Sequence, residues 1–258
     1  MREILPVLAG AGVKMLLFLP FLGVAVGFVS GFFGIGGGMM IVPVMMALGY
    51  GVKAAIGISV LQMLMSSAVG SYFNYKNADF RMRDALTLGL GALAGASLSG
   101  FVVVSAPDWA LKGGLALALA FCVYKMLFVN LDSGERTPPK WALFTIGFAV
   151  ALVAVSMGIG GAFLLTPIMV GFLGMDIKKA VSLGLFFVIF SSFSGFVSMS
   201  AQGLVDYRAG LIMGLGSIVG VYFGTKAHHL ASKATTRKWL LIFYVCMLAL
   251  TLKSLIWG

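Results

Sequence analysis

The chain has 258 residues, of which 60% are hydrophobic and 10% are charged, and its mean hydropathy is +1.07. A soluble domain carries about 25% charged residues, so the composition excludes an ordinary soluble protein and indicates a polytopic membrane protein. The formal net charge of +10 does not indicate a nucleic-acid partner, because the basic residues are scattered over short loops and form no patch with aromatic residues. We interpret them as topology signals and as contacts to the lipid bilayer.

The apolar runs predict an all-α fold. A membrane-spanning helix needs about 20 apolar residues, and the sequence offers ten helical segments. In chain order they are 13–32, 37–49, 52–73, 85–105, 109–129, 141–157, 160–174, 177–200, 208–225 and 238–257. The polar stretch 131–140 predicts a linker between a first membrane repeat, 1–130, and a second, 141–258.

A glycine-rich stretch followed by a proline occurs twice between apolar segments. The two copies contain Gly34, Gly36, Gly37, Gly38 and Pro43, and Gly158, Gly160, Gly161, Ala162 and Pro167. Each glycine costs a helix roughly 1 kcal/mol relative to alanine, so a repeated cluster predicts breaks in two transmembrane helices. As helices, segments 37–49 and 160–174 are shorter than the hydrocarbon core of about 30 Å, and we expect them to be short broken helices.

The two halves of the chain match at a nearly constant spacing. The first five matching positions are Gly23, Gly34, Gly36, Gly37 and Pro43, which lie 124 residues before Gly147, Gly158, Gly160, Gly161 and Pro167. After a one-residue insertion the spacing is 125, and it pairs Lys53, Ser66, Ser67, Gly91 and Gly95 with Lys178, Ser191, Ser192, Gly216 and Gly220. So many identities predict an internal duplication.

The relative orientation of the halves depends on whether segments 37–49 and 160–174 complete a crossing. If they do, each half has five crossings, the halves are inverted, and one face carries twelve of the eighteen lysines and arginines. If they are re-entrant, the split is ten to eight. The positive-inside rule favours the uneven split, so we expect two inverted repeats of five segments with both termini outside.

These features resemble the TauE/SafE family of sulfite exporter-like permeases. The resemblance rests on Gly31-x-x-Gly34-x-Gly36-Gly37-Gly38-x-x-x-x-Pro43, on its return at Gly158-x-Gly160-Gly161-x-x-x-x-x-Pro167, and on the two serine pairs a fixed distance beyond. It implies a transporter of the prokaryotic inner membrane for small sulfur-containing anions such as sulfite, sulfoacetate or related organosulfonates. The second copy departs in having Ala162 where the first has Gly38, which removes backbone freedom but no N–H donor.

An anion inside the bilayer needs hydrogen-bond donors, and the glycine stretches offer the first kind. The N–H groups of 36–38 and 160–162 stand at the start of a short helix, where they and the helix dipole can hold an anion. The alternative is that these glycines only permit close helix packing, which accounts well for Gly91, Gly95, Gly216 and Gly220.

Hydroxyl and amide groups are the second kind of donor. Ser66, Ser67, Ser191 and Ser192 lie midway along segments 52–73 and 177–200. The alternative for a serine in mid-helix is a bond to a carbonyl of its own helix. Gln62 lies one turn before Ser66, and its repeat counterpart is Phe187, so a role for its amide would be asymmetric. We interpret Lys53 and Lys178 as snorkelling anchors, with attraction of anions to each mouth as the alternative.

The residues missing from the spans narrow the function. All eight acidic residues fall in loops or at span ends, so no buried carboxylate is available for proton or sodium coupling. We expect facilitated anion movement, or movement of protons carried by the substrate, without a cofactor. An anion channel using the same site is the main alternative. A membrane enzyme is disfavoured because the spans lack a Ser/His/Asp set, paired carboxylates and a His-rich cluster, and an assembly subunit remains a further alternative.

Overall fold

The computed structural model describes residues 12–75, 81–128 and 138–257, and throughout these ranges the regular structure is helical, without strands. The helices are α1 Gly12–Phe33, α2 Gly38–Ala47, α3 Val52–Tyr75, α4 Met82–Ala96, α5 Ser99–Ser105, α6 Asp108–Leu127, α7 Lys140–Ser156, α8 Ala162–Leu173, α9 Ile177–Ala201, α10 Tyr207–Leu230 and α11 Lys233–Trp257. The predicted all-α fold is confirmed. The greater part of the predicted linker, 131–137, lies outside the described residues, and its last residue, Lys140, begins α7.

Six stretches are long and apolar enough to cross a membrane. They are Val52–Phe73, Met82–Ser105, Asp108–Leu127, Ile177–Ala201, Tyr207–Leu230 and Lys233–Leu255. Four shorter apolar helices cover Phe18–Phe33, Gly38–Ala47, Lys140–Ser156 and Ala162–Leu173. Together these ten stretches coincide with the ten predicted segments, and α2 and α8 are the short helices expected at 37–49 and 160–174.

The segment predicted as one helix over 85–105 is divided into α4 and α5. Side-chain hydroxyls compete with the helix backbone at the division, because Ser97 Oγ donates to the Ala94 carbonyl at 2.8 Å and Ser99 Oγ to the Ala96 carbonyl at 2.6 Å. The N–H of Gly100 donates to Ser198 Oγ of α9 at 3.0 Å. Neighbouring α9 therefore supplies a partner that the interrupted helix does not.

Helices α1 and α10 pack with their backbones in contact, and glycines make this possible. A Cβ on Gly27 would lie 2.2 Å from the Ser217 carbonyl oxygen, and one on Gly220 would lie 2.0 Å from the Val24 carbonyl oxygen. Because Gly23 opposes Met213 four residues before Gly27 opposes Ser217, the two helices run in the same direction. Small residues at helix contacts are the usual means of close packing in membranes.

Helices α4 and α7 form a second contact of the same kind. A Cβ on Gly91 would lie 2.2 Å from the Phe144 carbonyl oxygen, and one on Gly95 would lie 2.1 Å from that of Phe148. Both residue numbers rise together, so α4 and α7 are parallel. Helix α9 runs along α4 in the same direction, because Ser194 Oγ donates to the Leu93 carbonyl and Ser198 Oγ to the Ser97 carbonyl at 2.6 and 2.7 Å.

Helices α3 and α9 lie at the centre and run in opposite directions. Gly57 of α3 contacts Leu204, just beyond the end of α9, whereas Val60 lies near Gly195. Among the six long apolar stretches, those of α3 and α9 are the most buried and that of α11 is the least. The short helices α2 and α8 pack on this central pair, which positions their N-terminal ends in the interior of the bundle.

The close contact of α1 with α10 predicts how glycine substitutions affect stability. We expect Gly220→Ala to lower the free energy of unfolding by about 1–3 kcal/mol, because the added methyl group would have to push a backbone carbonyl away. Gly113→Ala is the matched control, because Gly113 is a helical glycine of α6 with no atom near its Cβ position. It should be neutral or stabilising by up to about 1 kcal/mol. Denaturant titration in detergent measures both, and equal effects would contradict the packing argument.

Candidate functional site

Each short helix begins after a loop that contains three left-handed glycines. The φ angles are 72°, 74° and 85° at Gly34, Gly36 and Gly37, and 72°, 69° and 89° at Gly158, Gly160 and Gly161. In the described chain every residue with a positive φ is a glycine, because a Cβ disfavours this conformation. We call residues 34–38 the first glycine loop and residues 158–162 the second.

The two glycine loops touch each other in the interior. All their residues are buried. A Cβ on Gly38 would lie 2.3 Å from the Gly158 carbonyl oxygen, so the two backbones are in direct contact. The sulfur of Met63 would lie 2.4 Å from a Cβ on Gly38 and 2.6 Å from one on Gly160. The loops therefore lie against each other in the interior, beside α3, and do not face the lipid.

The surroundings of the two loops correspond residue by residue. The contacts in the first loop are Gly34 with Val181, Gly36 with Val188, and Gly37 with Val26 and Gln62. Those in the second loop are Gly158 with Ile56, Gly160 with Met63, and Gly161 with Val150 and Phe187. Each contacting residue of one set lies 124 or 125 positions from its equivalent in the other. Two of the four contacting residues of each loop come from the opposite half, namely Val181 and Val188 at the first loop and Ile56 and Met63 at the second.

The predicted serines hydrogen bond to backbone carbonyls. Ser66 Oγ donates to the Gly36 carbonyl at 3.0 Å, and Ser191 Oγ donates to the Gly160 carbonyl at 2.8 Å. Both side chains are fully buried. Each hydroxyl also lies near a carbonyl of its own helix, 3.2 Å for Ser66 to Met63 and 3.3 Å for Ser191 to Val188. A hydroxyl has one proton to donate, and the loop carbonyl is the closer acceptor in both cases, so these two groups help to fix the conformation of the loops. Because these hydroxyl protons are used, the backbone N–H groups of the loops are the donors that remain for a ligand.

The neighbouring serines bond to their own helices. Ser67 Oγ lies 3.4 Å from the Leu64 carbonyl, and Ser192 Oγ lies 2.5 Å from the Val188 carbonyl. These contacts follow the alternative for a serine in mid-helix. The duplicated serine pair thus separates into one residue that holds a glycine loop and one that bonds back along its helix.

Gln62 is the predicted site residue with no partner. Its side chain is fully buried, and neither its amide oxygen nor its amide nitrogen has a hydrogen-bond partner among the described residues. Both atoms lie 3.1 Å from the position of a Cβ on Gly37, so the amide faces the first glycine loop. An unpaired buried amide costs about 1–3 kcal/mol, and the equivalent position in the second half is the apolar Phe187.

The backbone N–H groups of the two loops differ in their availability. In the second loop the N–H of Gly161 donates to the Ile159 carbonyl at 2.9 Å. In the first loop the N–H groups of 36–38 meet no backbone carbonyl within the described chain. The first loop, which Gln62 also faces, therefore presents more unpaired donors than the second.

The departure of the second copy at Ala162 has a steric explanation. A Cβ on Gly38 would lie 2.7 Å from Ser59 Oγ, whereas the position equivalent to Ser59 in the second half is Gly184. The methyl group of Ala162 occupies the space that Gly184 leaves, at 3.0 Å from a Cβ built there. Sequence reasoning missed Ser59, which donates to the Gly158 carbonyl at 2.5 Å. Comparison of the two halves does not point to Ser59, because the residue 125 positions later is a glycine and not a serine.

The two lysines at equivalent positions make equivalent contacts. Lys53 Nζ donates to the Val104 carbonyl at 3.1 Å, and Lys178 Nζ donates to the His229 carbonyl at 3.4 Å. Both carbonyls lie in the last turn of a helix, α5 or α10, where a cation is favourable. These contacts agree with the interpretation of both lysines as anchors at helix ends.

Comparison with known proteins identifies the family. The family described as Sulfite exporter TauE/SafE matches residues 19–251, which is nearly the whole chain and includes both glycine loops. The chain belongs to the TauE/SafE family. With six long apolar stretches among its described helices, it is a multi-pass membrane transporter protein of this family. No solved structure gives a significant match.

TauE/SafE relatives occur in bacteria and archaea. The chain is similar to the probable membrane transporter protein YdhB of Bacillus subtilis (strain 168), with 24% identity over 82% of this chain and 89% of the relative. It is 26% identical to the probable membrane transporter protein MJ0441 of Methanocaldococcus jannaschii, over 83% of this chain and 87% of the relative. It is 28% identical to the probable membrane transporter protein ORF9 of Sinorhizobium sp, over 92% of each chain.

The hydrogen bonds of the serines predict a difference within each pair. We expect Ser66→Ala and Ser191→Ala each to lower the free energy of unfolding by about 1–3 kcal/mol, because each leaves a buried loop carbonyl without its donor. Ser67→Ala is the control, since its hydroxyl contacts a carbonyl that already belongs to the helix. Denaturant titration in detergent makes the comparison. A loss for Ser67→Ala as large as that for Ser66→Ala would contradict the assignment.

The loop before α9 carries a carboxylate that titrates at low pH. Asp176 caps α9 by accepting from the Lys178 N–H at 2.8 Å, and it pairs with Lys233. Partial burial alone would raise the pKa of Asp176, but hydrogen bonds from the Lys233 side chain and from the backbone N–H groups of Lys178 and Lys179, with the charge of Lys233, lower it below its ordinary value.

A lowered pKa means that the ionised Asp176 stabilises the folded state above the ordinary pKa of an aspartate, about 4. This contribution is lost as the pH falls through the folded-state pKa. We therefore expect the melting temperature of the wild type to exceed that of Asp176→Asn near neutral pH, and the difference to shrink below pH about 4. Asparagine retains the capping function, so the variant isolates the ion pair. A difference independent of pH would contradict this assignment.

Proposed function

We propose that this TauE/SafE protein transports small sulfur-containing anions, such as sulfite or an organosulfonate, across the prokaryotic inner membrane. The anion is held where the two glycine loops meet. The observation that carries the proposal is the fully buried amide of Gln62, which has no partner among the described residues and lies beside Gly37 of the first loop. Buried polar groups are normally paired, so an unpaired amide beside unpaired N–H donors indicates a ligand.

The residues of the glycine loops and of the helices beside them have different roles in this proposal. The N–H groups of 36–38 and 160–162 bind anionic oxygens at the positive ends of α2 and α8, with fewer available in the second loop. Gln62 contributes an amide N–H from one side. Ser66 and Ser191 act as positioning residues because they donate hydrogen bonds to the loop carbonyls. Ser67 and Ser192 lie next to them on α3 and α9 and take part in the proposed site only as neighbours of the positioning residues.

The substrate class follows from these donors and from the family. The proposed site offers neutral N–H donors and no carboxylate, which suits an anion and not a cation. Sulfite and sulfonates present several oxygen acceptors on one sulfur, so one anion can be bound by donors from both loops at once. The description of the family as sulfite exporters supports sulfur oxyanions among the possible anions.

We further infer that the two halves are inverted repeats related by a pseudo-twofold axis through the glycine loops. The directions of the helices support this inference. Helices α1 and α3 both run with α10, because Leu61 opposes Gly210 and Met65 opposes Gly214. For α1 and α3 to be parallel, the chain between them must return across the membrane through α2, which gives five crossings in each half. The reciprocal contacts of the glycine loops also support the axis.

An inverted pair of halves suits alternating access. In the described conformation Met63 and Val188 each approach both loops and Gly38 contacts Gly158 directly, so an anion binds between the loops only after they move apart. This close packing favours a transporter that opens to one side at a time over a channel with a continuous pore. Counterflow in proteoliposomes distinguishes them, because a transporter accelerates exchange of labelled substrate whereas a channel gives conductance.

The mode of coupling follows from the position of the acidic residues. The four acids of the described helices and loops, Asp84, Asp108, Asp176 and Asp206, lie in the first turn of a helix or in the loop before it. With no carboxylate near the glycine loops, we propose facilitated anion movement or transfer of protons by the substrate itself. A flux that requires sodium and is independent of both the pH gradient and the membrane potential would contradict this part of the proposal.

The amide of Gln62 provides the direct test. We expect Gln62→Met to weaken sulfite binding about tenfold, as loss of one hydrogen bond to a charged group does. The same variant should keep or raise the melting temperature, because it removes an unpaired buried amide. Titration calorimetry and thermal unfolding of the purified protein in detergent measure the two effects.

The control for Gln62→Met is Ser71→Ala. Ser71 is a buried residue of α3 whose hydroxyl also has no partner among the described residues, but it lies about 13 Å further along the helix. Sulfite binding should be unchanged in this variant. Unchanged sulfite binding by Gln62→Met, or an equal loss in both variants, would overturn the proposed site.

A further inference from the structure

A basic cavity of about 480 Å³ lies at one end of the bundle, outside the glycine loops. Its charged and imidazole lining comes from the loop before α9, the first turn of α9, the end of α10 and the start of α11. These residues are Asp176, Lys178, Lys179, His228, His229 and Lys233. The hydroxyl-bearing Ser182, one turn further along α9, also lines it. We call this space the basic cavity.

The charge of the basic cavity is positive. Three lysine ammonium groups against one carboxylate leave a net charge of +2 with both imidazoles neutral. The carboxylate of Asp176 is already engaged by Lys233 and by the α9 N-terminus. The ammonium group of Lys178 makes one long hydrogen bond, 3.4 Å to the His229 carbonyl, and an ammonium group has three protons to donate.

Two imidazole nitrogens at the basic cavity have no partner. The side chain of His228 is 1% exposed, and its Nδ1 meets no hydrogen-bonding atom among the described residues. The same holds for Nε2 of the half-buried His229. Buried polar nitrogens are normally paired, so these two atoms indicate a ligand that supplies the missing contact.

The side chains around the basic cavity suit an anion better than a metal ion. Within the described ranges, no three His, Cys, Asp or Glu side chains are close enough together to hold a metal. Lysine ammonium and imidazole N–H groups are donors to anionic oxygens. The neutral tautomer with its proton on Nδ1 lets His228 donate to such an oxygen.

The inner wall of the basic cavity adjoins the first glycine loop. Val181, next to Ser182, has its carbonyl oxygen 2.3 Å from the position of a Cβ on Gly34. The imidazole ring of His228 packs edge-on against the ring of Phe32, two residues before that loop begins. An anion held in the basic cavity therefore lies beside the start of the loop and has a short path to its N–H groups.

The residues at the equivalent positions in the first half of the chain do not reproduce the basic lining of this cavity. At the repeat spacing of 125, the positions that correspond to Lys179, Ser182, His228 and His229 are Ala54, Gly57, Val103 and Val104. Of the basic groups, Lys178 alone has a basic counterpart, Lys53. Gly57 is also closed over by the Leu204 carbonyl, 2.1 Å from its Cβ position. The two membrane faces thus differ although the glycine loops correspond.

The geometry points to an anion-binding vestibule on one membrane face, in which small oxyanions such as sulfite bind before they reach the first glycine loop. This inference rests on the proposed transport function for its second step, but binding in the vestibule is independent of it. In the inverted arrangement the vestibule lies on the face with more basic residues, which is the cytoplasmic face. The affinity for substrate is then higher from that face than from the other.

The test is the concentration of sulfite that gives half-maximal flux, measured from each face in proteoliposomes of known orientation. Lys178→Gln should raise this value about tenfold on the vestibule face, as expected for loss of a charge-assisted hydrogen bond. It should leave the value on the other face unchanged. His228→Phe, which keeps an aromatic ring in the same space, should act on the same face, and Lys178→Arg should restore the wild-type value.

Lys53→Gln is the matched control, because Lys53 makes the same kind of contact with a helix end, but the positions equivalent to the rest of the cavity lining carry no basic residue. It should leave the value on the vestibule face unchanged. Equal changes on both faces for Lys178→Gln, or no change on either, would overturn the vestibule while leaving transport itself intact.

Direct binding separates failure of the vestibule from failure of the transport proposal. Titration calorimetry with sulfite in the Gln62→Met background should still detect a site that Lys178→Gln weakens and Lys53→Gln does not. If the wild type shows no sulfite flux but this binding persists, the vestibule stands and the proposed function fails. If the binding is absent or insensitive to Lys178→Gln, the vestibule is wrong whatever the flux.

Discussion

The structure depends on the contact between two broken helices in the middle of the bundle. A helix can be interrupted inside a membrane only if the polar backbone groups at the break find partners within the protein. Here the Gly36 and Gly160 carbonyls accept from Ser66 and Ser191, and the Gly158 carbonyl accepts from Ser59. The hydroxyls satisfy the loop carbonyls, while several loop N–H groups stay available. This imbalance is the basis of the proposed anion site, which uses backbone and amide donors in place of a cation.

Much of the fold follows from simple features of the sequence. Ten apolar runs predict ten helical stretches, and the glycine clusters predict the positions of the two short helices, because a run of left-handed residues tolerates no side chain. The division of α4 from α5 could not be predicted in this way. It depends on Ser198 of α9, which is 98 residues from its partner Gly100, and no local pattern reveals such a contact.

The sequence predicts which residues lie near the candidate site, but it does not predict which hydrogen bonds each of them makes. The repeat spacing identifies Ser66 and Ser191 together, yet spacing alone does not say whether a hydroxyl donates to a carbonyl or remains free. Ser59 was missed for a different reason. Its equivalent is Gly184, so a comparison of the two halves finds no identical residue at this position. The basic cavity was missed for a related reason. Its residues come from the loop before α9 and the junction of α10 with α11, which only the tertiary fold brings together.

The glycine-mediated contact of α1 with α10 has a consequence for how the protein is made. Helix α1 leaves the ribosome early, but the helix that covers its glycine face follows only after most of the chain has been synthesised. Until α10 arrives, the groove on α1 lies against lipid tails or against the insertion machinery. The contact between α1 and α10 therefore forms only after the helices between them have been synthesised.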